Sequence, residues 1–245
     1  MSALLEVQRV RVRLEGRDVL DDLSLALERG ALATLVGANG SGKTRLIHAV
    51  AGLQPLASGA IRIDGVPLAA DPGAARARLG FAVDPSRLPA PLSPRQCLEL
   101  FARSRGLARI DAETLAFAEQ VRLAPWLDTP VGACSLGTRQ KLAIALALVG
   151  TPPLLLLDEA LNGLDPVAAV DTFDHLRRLA DDGRCGVLLA THGLELAVDR
   201  ADRLLLIEAG RLAADWDAQA LAQARGTGGI AGAVVAHLRA AQAAR

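Results

Sequence analysis

Apolar and polar residues change period several times along this chain, and each change marks an element. From Leu5 to Leu14 (LEVQRVRVRL) apolar side chains fall at Leu5, Val7, Val10, Val12 and Leu14, the pattern of a half-buried strand. Val19 to Leu27 reads as a second strand, and a turn at Arg29 and Gly30 leads into the continuous apolar run Ala31 to Val36 (ALATLV). Beyond a glycine-rich stretch, Leu46 to Leu53 is apolar and helix-compatible, and Ile61 to Asp64 with Gly65 reads as a short strand and turn. Four prolines (Pro85, Pro89, Pro91, Pro94) then break regular structure, and from Arg95 to about Val149 the period is helical, so an inserted helical lobe is expected over approximately 85–149. Leu154 to Leu157 and Gly186 to Ala190 are continuous apolar runs, as parallel strands covered on both faces require. Leu204 to Ile207 and Arg211 to Ala214 suit a hairpin turning at Ala209 and Gly210. The pattern predicts an α/β chain with a mostly parallel sheet, an N-terminal antiparallel β-subdomain and the helical lobe, all within residues 1–215. Residues 216–245 are expected to be an alanine-rich helical tail, broken by Gly226, Gly228 and Gly229.

Composition narrows the classes of function. Of 245 residues 51% are apolar, enough for a substantial core, while 27 basic residues balance 27 acidic ones. A net charge of zero gives no broad field for nucleic acid, and 2% aromatic residues with no tyrosine leave few platforms for stacked bases, so no nucleic-acid partner is expected. Cys97, Cys134 and Cys185 lie far apart without a CxxC pair, which speaks against a disulfide framework or a zinc site and for a reducing compartment. Glu6, Arg9, Arg11 and Arg13 leave no room for the apolar centre of a signal peptide, and Leu142 to Leu157 is broken by Gly150, Pro152 and Pro153, short of the ~20 residues a membrane span needs. A soluble, cytoplasmic chain is the expectation.

The chemistry centres on Gly37 to Thr44, GANGSGKT, which fits G-x-x-x-x-G-K-[ST] between an apolar strand and a helix. Gly37, Gly40 and Gly42 free the backbone so that several N–H groups converge on phosphate oxygens, with Asn39 and Ser41 in the same loop. The next helix turns its positive end to the same anion. Lys43 supplies a mobile charge, and the Thr44 hydroxyl suits a Mg²⁺ shell. Lysine occurs only at Lys43 and Lys141, so arginine is the usual cation here, and a compact ammonium stands where a planar guanidinium fits poorly. An ordinary glycine turn is the plainer alternative, and the flanking strand and helix tell against it.

Asp158, at the end of LLLL, sits where α/β sheets bind ligands and can reach the metal on Thr44, while Glu159 beside it can polarise a water; a solvated strand end is the plainer reading. His192 closes a second strand of the same type, within reach of a terminal phosphate, although lone histidines are more often structural. Cys134 to Leu142 (CSLGTRQKL) opens an amphipathic, alanine-rich helix; Ser135 and Gly137 offer a hydroxyl and an unhindered N–H at its start, a second anion site, or in the case of Ser135 a simple cap. One phosphate loop with a second anion site invites dimerisation.

In this order the motifs resemble those of the nucleotide-binding subunit of an ABC transporter, over nearly the whole chain as far as about Asp215. GANGSGKT is similar to the Walker A loop, LLLLDE (Leu154 to Glu159) to Walker B with its catalytic glutamate, SLGTRQK (Ser135 to Lys141) to the signature, NGLDP (Asn162 to Pro166) to the D-loop, and THGLELA (Thr191 to Ala197) to the switch histidine segment. The resemblance implies a P-loop NTPase core and an ATPase using ATP and Mg²⁺. It implies a head-to-tail dimer, with a second copy or a homologous subunit, in which Walker A of one subunit and the signature of the other enclose each ATP, with Asp165 at the seam. Glu159 and His192 take the catalytic roles, and Thr44 with Asp158 the metal. A transmembrane permease subunit is implied as partner, holding the chain to the inner face of the cell membrane through the Asp84 to Arg105 region, and the S-L-G signature resembles that of exporters. A soluble ABC ATPase of a cofactor-assembly or remodelling complex is the alternative. Four positions depart from the pattern: Leu14 stands for the adenine-stacking aromatic, Asp84 (in GFAVD) for the Q-loop glutamine, Thr138 for glutamine or a methionine-like residue in the signature, and Ala160 for the proline after the glutamate. A carboxylate at 84 makes Asp84 a further candidate metal ligand.

Overall fold

The computed structural model describes residues 3–191 and 200–225, with Gly232. Its framework is two sheets. The first is antiparallel, in the order β2-β1-β4-β5, from β1 (Leu5–Leu14), β2 (Arg17–Leu27), β4 (Ser58–Ile63) and β5 (Val66–Pro67). The second runs β10-β9-β3-β8-β7-β6, from β3 (Leu32–Val36), β6 (Leu79–Ala82), β7 (Leu154–Asp158), β8 (Gly186–Ala190), β9 (Arg203–Glu208) and β10 (Arg211–Trp216). Strands β9, β3, β8, β7 and β6 are parallel, and β10 closes one edge antiparallel to β9.

The apolar runs of the parallel strands are continuous because each strand is covered twice. Leu155, Leu157, Val187 and Leu189 face one core, with Phe173 and Leu176, whereas Leu154, Leu156, Leu188 and Ala190 face the other, with Leu46, Ile47 and the antiparallel sheet. In β1 the expected alternation carries an irregularity already visible in the spacing, where Val7 and Val10 are both buried although three apart. The pairing with β2 shifts between those two residues, and Arg9 between them has φ 49°, so an extra residue is absorbed as a bulge.

Seven helices are described: α1 (Lys43–Val50), α2 (Pro72–Ala77), α3 (Pro94–Ser104), α4 (Ala112–Gln120), α5 (Leu136–Leu148), α6 (Pro166–Asp181) and α7 (Ala218–Arg225). Three differences from the sequence pattern matter. Helix α1 begins at Lys43 rather than Leu46 and ends at Val50, where Gly52 at φ 70° turns the chain away. The pattern marked neither α2 nor β6, and it marked nothing at α6, although Asp165 caps that helix and Thr172, Phe173, Leu176 and Leu179 line its buried face. Helix α5 is not amphipathic: from Leu142 to Leu148 every residue is buried, because α5 packs on the sheet at β6 and β7 as well as against α3 and α4. The tail beyond α7 lies, apart from Gly232, outside the described residues.

Polar contacts tie α4 to α6. Glu113 Oε1 lies 2.5 Å from Arg178 and 3.1 Å from His175 Nε2, its other oxygen accepts from Arg184, and His175 Nδ1 is 2.9 Å from Gln120 Oε1. Burial raises the Glu113 carboxyl, but the two arginines outweigh it and hold it below the usual range. Burial and Arg178 push the His175 ring down to about 4 against the pull of Glu113, so it is neutral near pH 7. Their structural effect is to hold α4 of the helical segment against α6.

Candidate functional site

Strand β3 ends at Val36 and the loop GANGSGKT begins at once. Gly37 has φ 153°, and a Cβ there would lie 2.3 Å from the Ile207 carbonyl oxygen, so no larger residue fits between the loop and β9. At Gly42, φ 117° starts α1 with no side-chain cap, which leaves the first N–H groups of the helix open to an anion. Lys43 is buried, and its ammonium donates to the carbonyls of Gly37 (2.8 Å) and Ala38 (3.2 Å). Burial lowers its pKa while Glu159 and Asp158 pull the other way. It is thus folded back over its own loop, held by weak acceptors that a phosphate outcompetes.

Thr44 and Asp158 lie 114 residues apart in sequence, yet Thr44 Oγ1 donates to Asp158 Oδ1 at 3.2 Å. The fold explains the meeting: α1 rises from the C-terminal end of β3, and Asp158 ends β7 on the same edge of the parallel sheet. A hydroxyl and a carboxylate side by side are hard oxygen donors that fit Mg²⁺. Among the described residues no cluster of three or more His, Cys, Asp or Glu could hold a metal.

Glu159 follows with φ 52°, rare for a side-chain-bearing residue. Its N–H donates to Ala190 O (3.0 Å), and its Oε2 accepts from Asn162 Nδ2 (2.8 Å). Asp84 caps the short turn Pro85–Arg87, its Oδ1 accepting from the Ser86 N–H at 2.8 Å; Ser86 holds its carboxyl below the usual range, so it is ionised. Asp84, Thr44, Asp158 and Glu159 line one cleft of about 790 Å³, together with His48 and Gln140. Neither of the last two is marked as a site residue by the sequence motifs. His48 stands one turn after Thr44 on α1, a spacing that could have marked it. Gln140 reaches the cleft because α5 packs on β6, which local pattern does not reveal.

The remaining candidates lie elsewhere. Ser135 caps α5, accepting from the Thr138 N–H at 3.1 Å, and neither it nor Gly137 is among the residues lining the cleft. Asp165 caps α6 through the Ala168 N–H (2.9 Å), which holds its carboxyl down, and stands 3.7 Å from Lys141. Leu14, half-buried, ends β1 opposite Arg17. His192 lies outside the described residues. Among the described residues no helix is long and apolar enough to cross a membrane.

A family model described as ABC transporter matches residues 20–162. The zinc import ATP-binding protein ZnuC of Pseudomonas syringae pv. syringae is 32% identical over 84% of this chain and 74% of its own length. The Nod factor export ATP-binding protein I of Cupriavidus metallidurans is 34% identical over 88% of this chain and 71% of its own length. A solved structure titled as the ATP binding subunit of an ABC transporter is 30% identical, with a TM-score of 0.83 over 97% of this chain and 98% of that one.

Proposed function

This chain belongs to the ABC transporter family as one of its ATP-binding, ATP-hydrolysing subunits, and from that membership we propose how it works and what it drives. The observation that carries the reading is the pairing of Thr44 with Asp158 at the foot of the phosphate loop, with Glu159 next in the chain. The triphosphate lies on the N–H groups of residues 37 to 44, Asn39, Gly40 and Ser41 included, and Lys43 leaves the Gly37 and Ala38 carbonyls for it. Thr44 and Asp158 hold Mg²⁺, which when bound neutralises charge on the phosphates. Glu159 orients the attacking water, and His192, outside the described residues, is assigned the switch-histidine role on the family pattern alone.

A second copy of the chain, or a homologous subunit, completes the site with its Ser135 and Gly137, and Asp165 lies at the seam. Two large apolar side chains beside these residues support that interface: Leu136 is 56% exposed and Val167 58%. A separate membrane-spanning permease subunit docks on the Asp84 to Arg105 region, where Leu100 is 62% exposed and Phe101 lies beside it. That contact places the chain on the inner face of the cell membrane. Export is the direction proposed from the S-L-G signature, and relatives named for import and for export match this chain about equally.

Purification of the tagged chain from membranes tests the reading. A multi-spanning protein is expected to copurify and to stimulate ATP turnover, and an exclusively soluble partner overturns it.

Asp84 belongs to the same proposal. Asp84 lines the same cleft as Thr44 and Asp158 and is ionised, so its charge faces the metal or its water. Asp84→Gln is expected to raise the Mg²⁺ concentration for half-maximal turnover about severalfold, since an amide offers a dipole in place of a charge. Unchanged Mg²⁺ titrations and unchanged transport coupling remove Asp84 from the metal's surroundings.

A further inference from the structure

We propose that Asn162 is a positioning residue for Glu159 and that it ties the glutamate's carboxylate to the signature segment. The proposal rests on the reading of Glu159 as the residue that orients water. The backbone supplies the first half of the argument. Glu159 sits at φ 52°, anchored by its N–H to Ala190 O, so its side chain leaves the strand end in a direction that ordinary strand geometry does not give. Asn162 grips the same residue twice. Its backbone N–H donates to Glu159 O at 3.0 Å, and its side-chain Nδ2 donates to Glu159 Oε2 at 2.8 Å. A carboxylate with one oxygen on a fixed donor keeps the other aimed, which a positioned base requires.

The loop that carries Asn162 is itself fastened to the start of α5. Gly163, at φ 83°, presents its carbonyl oxygen 3.0 Å from where a Cβ on Gly137 would stand, and the Leu136 side chain packs over Gly163. Two residues on, Asp165 caps α6 and lies 3.7 Å from Lys141 of α5. The segment from Asn162 to Asp165 therefore has one end on Glu159 and the other on Leu136, Gly137 and Lys141. Any displacement of the signature against the sheet is transmitted to the glutamate through four residues rather than through the whole lobe.

Asn162 is exposed, so its variants are expected to fold, and unchanged thermal midpoints check this. Asn162→Asp keeps the shape and replaces the donor by a second carboxylate, while Asn162→Ser keeps a shorter donor. Asn162→Asp is expected to lower kcat about tenfold or more with the KM for ATP within twofold of the parent, and Asn162→Ser to recover part of the loss. A merely structural role moves both constants, or neither. If Glu159→Gln stops turnover while Asn162→Asp keeps kcat within twofold, the proposal fails and the role of Glu159 stands. If Glu159→Gln itself retains turnover, both fall.

Discussion

Glu159→Gln will lower ATP turnover by about two orders of magnitude or more and leave ATP bound. The size follows from the role: a positioned base contributes roughly 10²–10⁴ in rate, and an amide can neither take a proton nor polarise water comparably. Binding should survive because the groups assigned to the phosphates and the metal are elsewhere, on the loop from Gly37 to Thr44 and on Asp158. Glutamine is also nearly isosteric. It can orient its amide oxygen toward Asn162 Nδ2 and keep the contact now made by Glu159 Oε2. With hydrolysis blocked and nucleotide retained, the two-chain state that encloses ATP should accumulate. Single-turnover hydrolysis and size-exclusion chromatography with ATP and Mg²⁺ read the two effects separately. Undiminished turnover removes Glu159 from the role, whatever the chromatogram shows.

Much of this site could be read from the residues because its parts are strand ends. Asp158 and the phosphate loop are separated by more than a hundred residues, yet each follows a continuous apolar run, and parallel strands place their C-terminal ends on one edge. Other features leave no local signal, for physical reasons. Helix α1 begins before its apolar residues do, because Lys43 and Thr44 serve the loop and cleft rather than the core. The start of helix α6 is hidden in NGLDP, where Asp165 is both a candidate seam residue and a helix cap followed by Pro166. The contact between Asn162 and Glu159 depends on a side-chain rotamer and a positive φ, and neither leaves a periodic signal. Strand β6 is four residues long and contains Gly80, a composition that local pattern does not favour as a strand.

Gly80 yields the second large effect, and it concerns stability. A Cβ at this position would lie 1.9 Å from the Ala147 carbonyl oxygen, 2.9 Å from the Ala147 carbonyl carbon and 2.8 Å from Pro152 Cγ. Two of the three are backbone of α5 and the third is a proline ring, so none can swing aside as a flexible side chain would. Helix α5 is buried from Leu142 to Leu148 between the sheet and the other helices, and it cannot back away without opening contacts on its far side. Gly80→Ala is therefore expected to cost about 3 kcal/mol or more, the upper end of overpacking in a dense core. For a chain of this size that is a fall of about 6–12 °C in Tm. Gly73, in α2, is the control, since a Cβ there meets only Asp71 Oδ1 at 3.6 Å, ordinary contact distance. Gly73→Ala should be neutral or stabilising by up to about 1 kcal/mol. Thermal unfolding of the two variants beside the parent decides the matter. A Gly80→Ala protein that melts within about 2 °C of the parent would mean that α5 can withdraw from β6 at little cost, and the close approach that brings Gln140 to the cleft would not be a rigid feature of the fold.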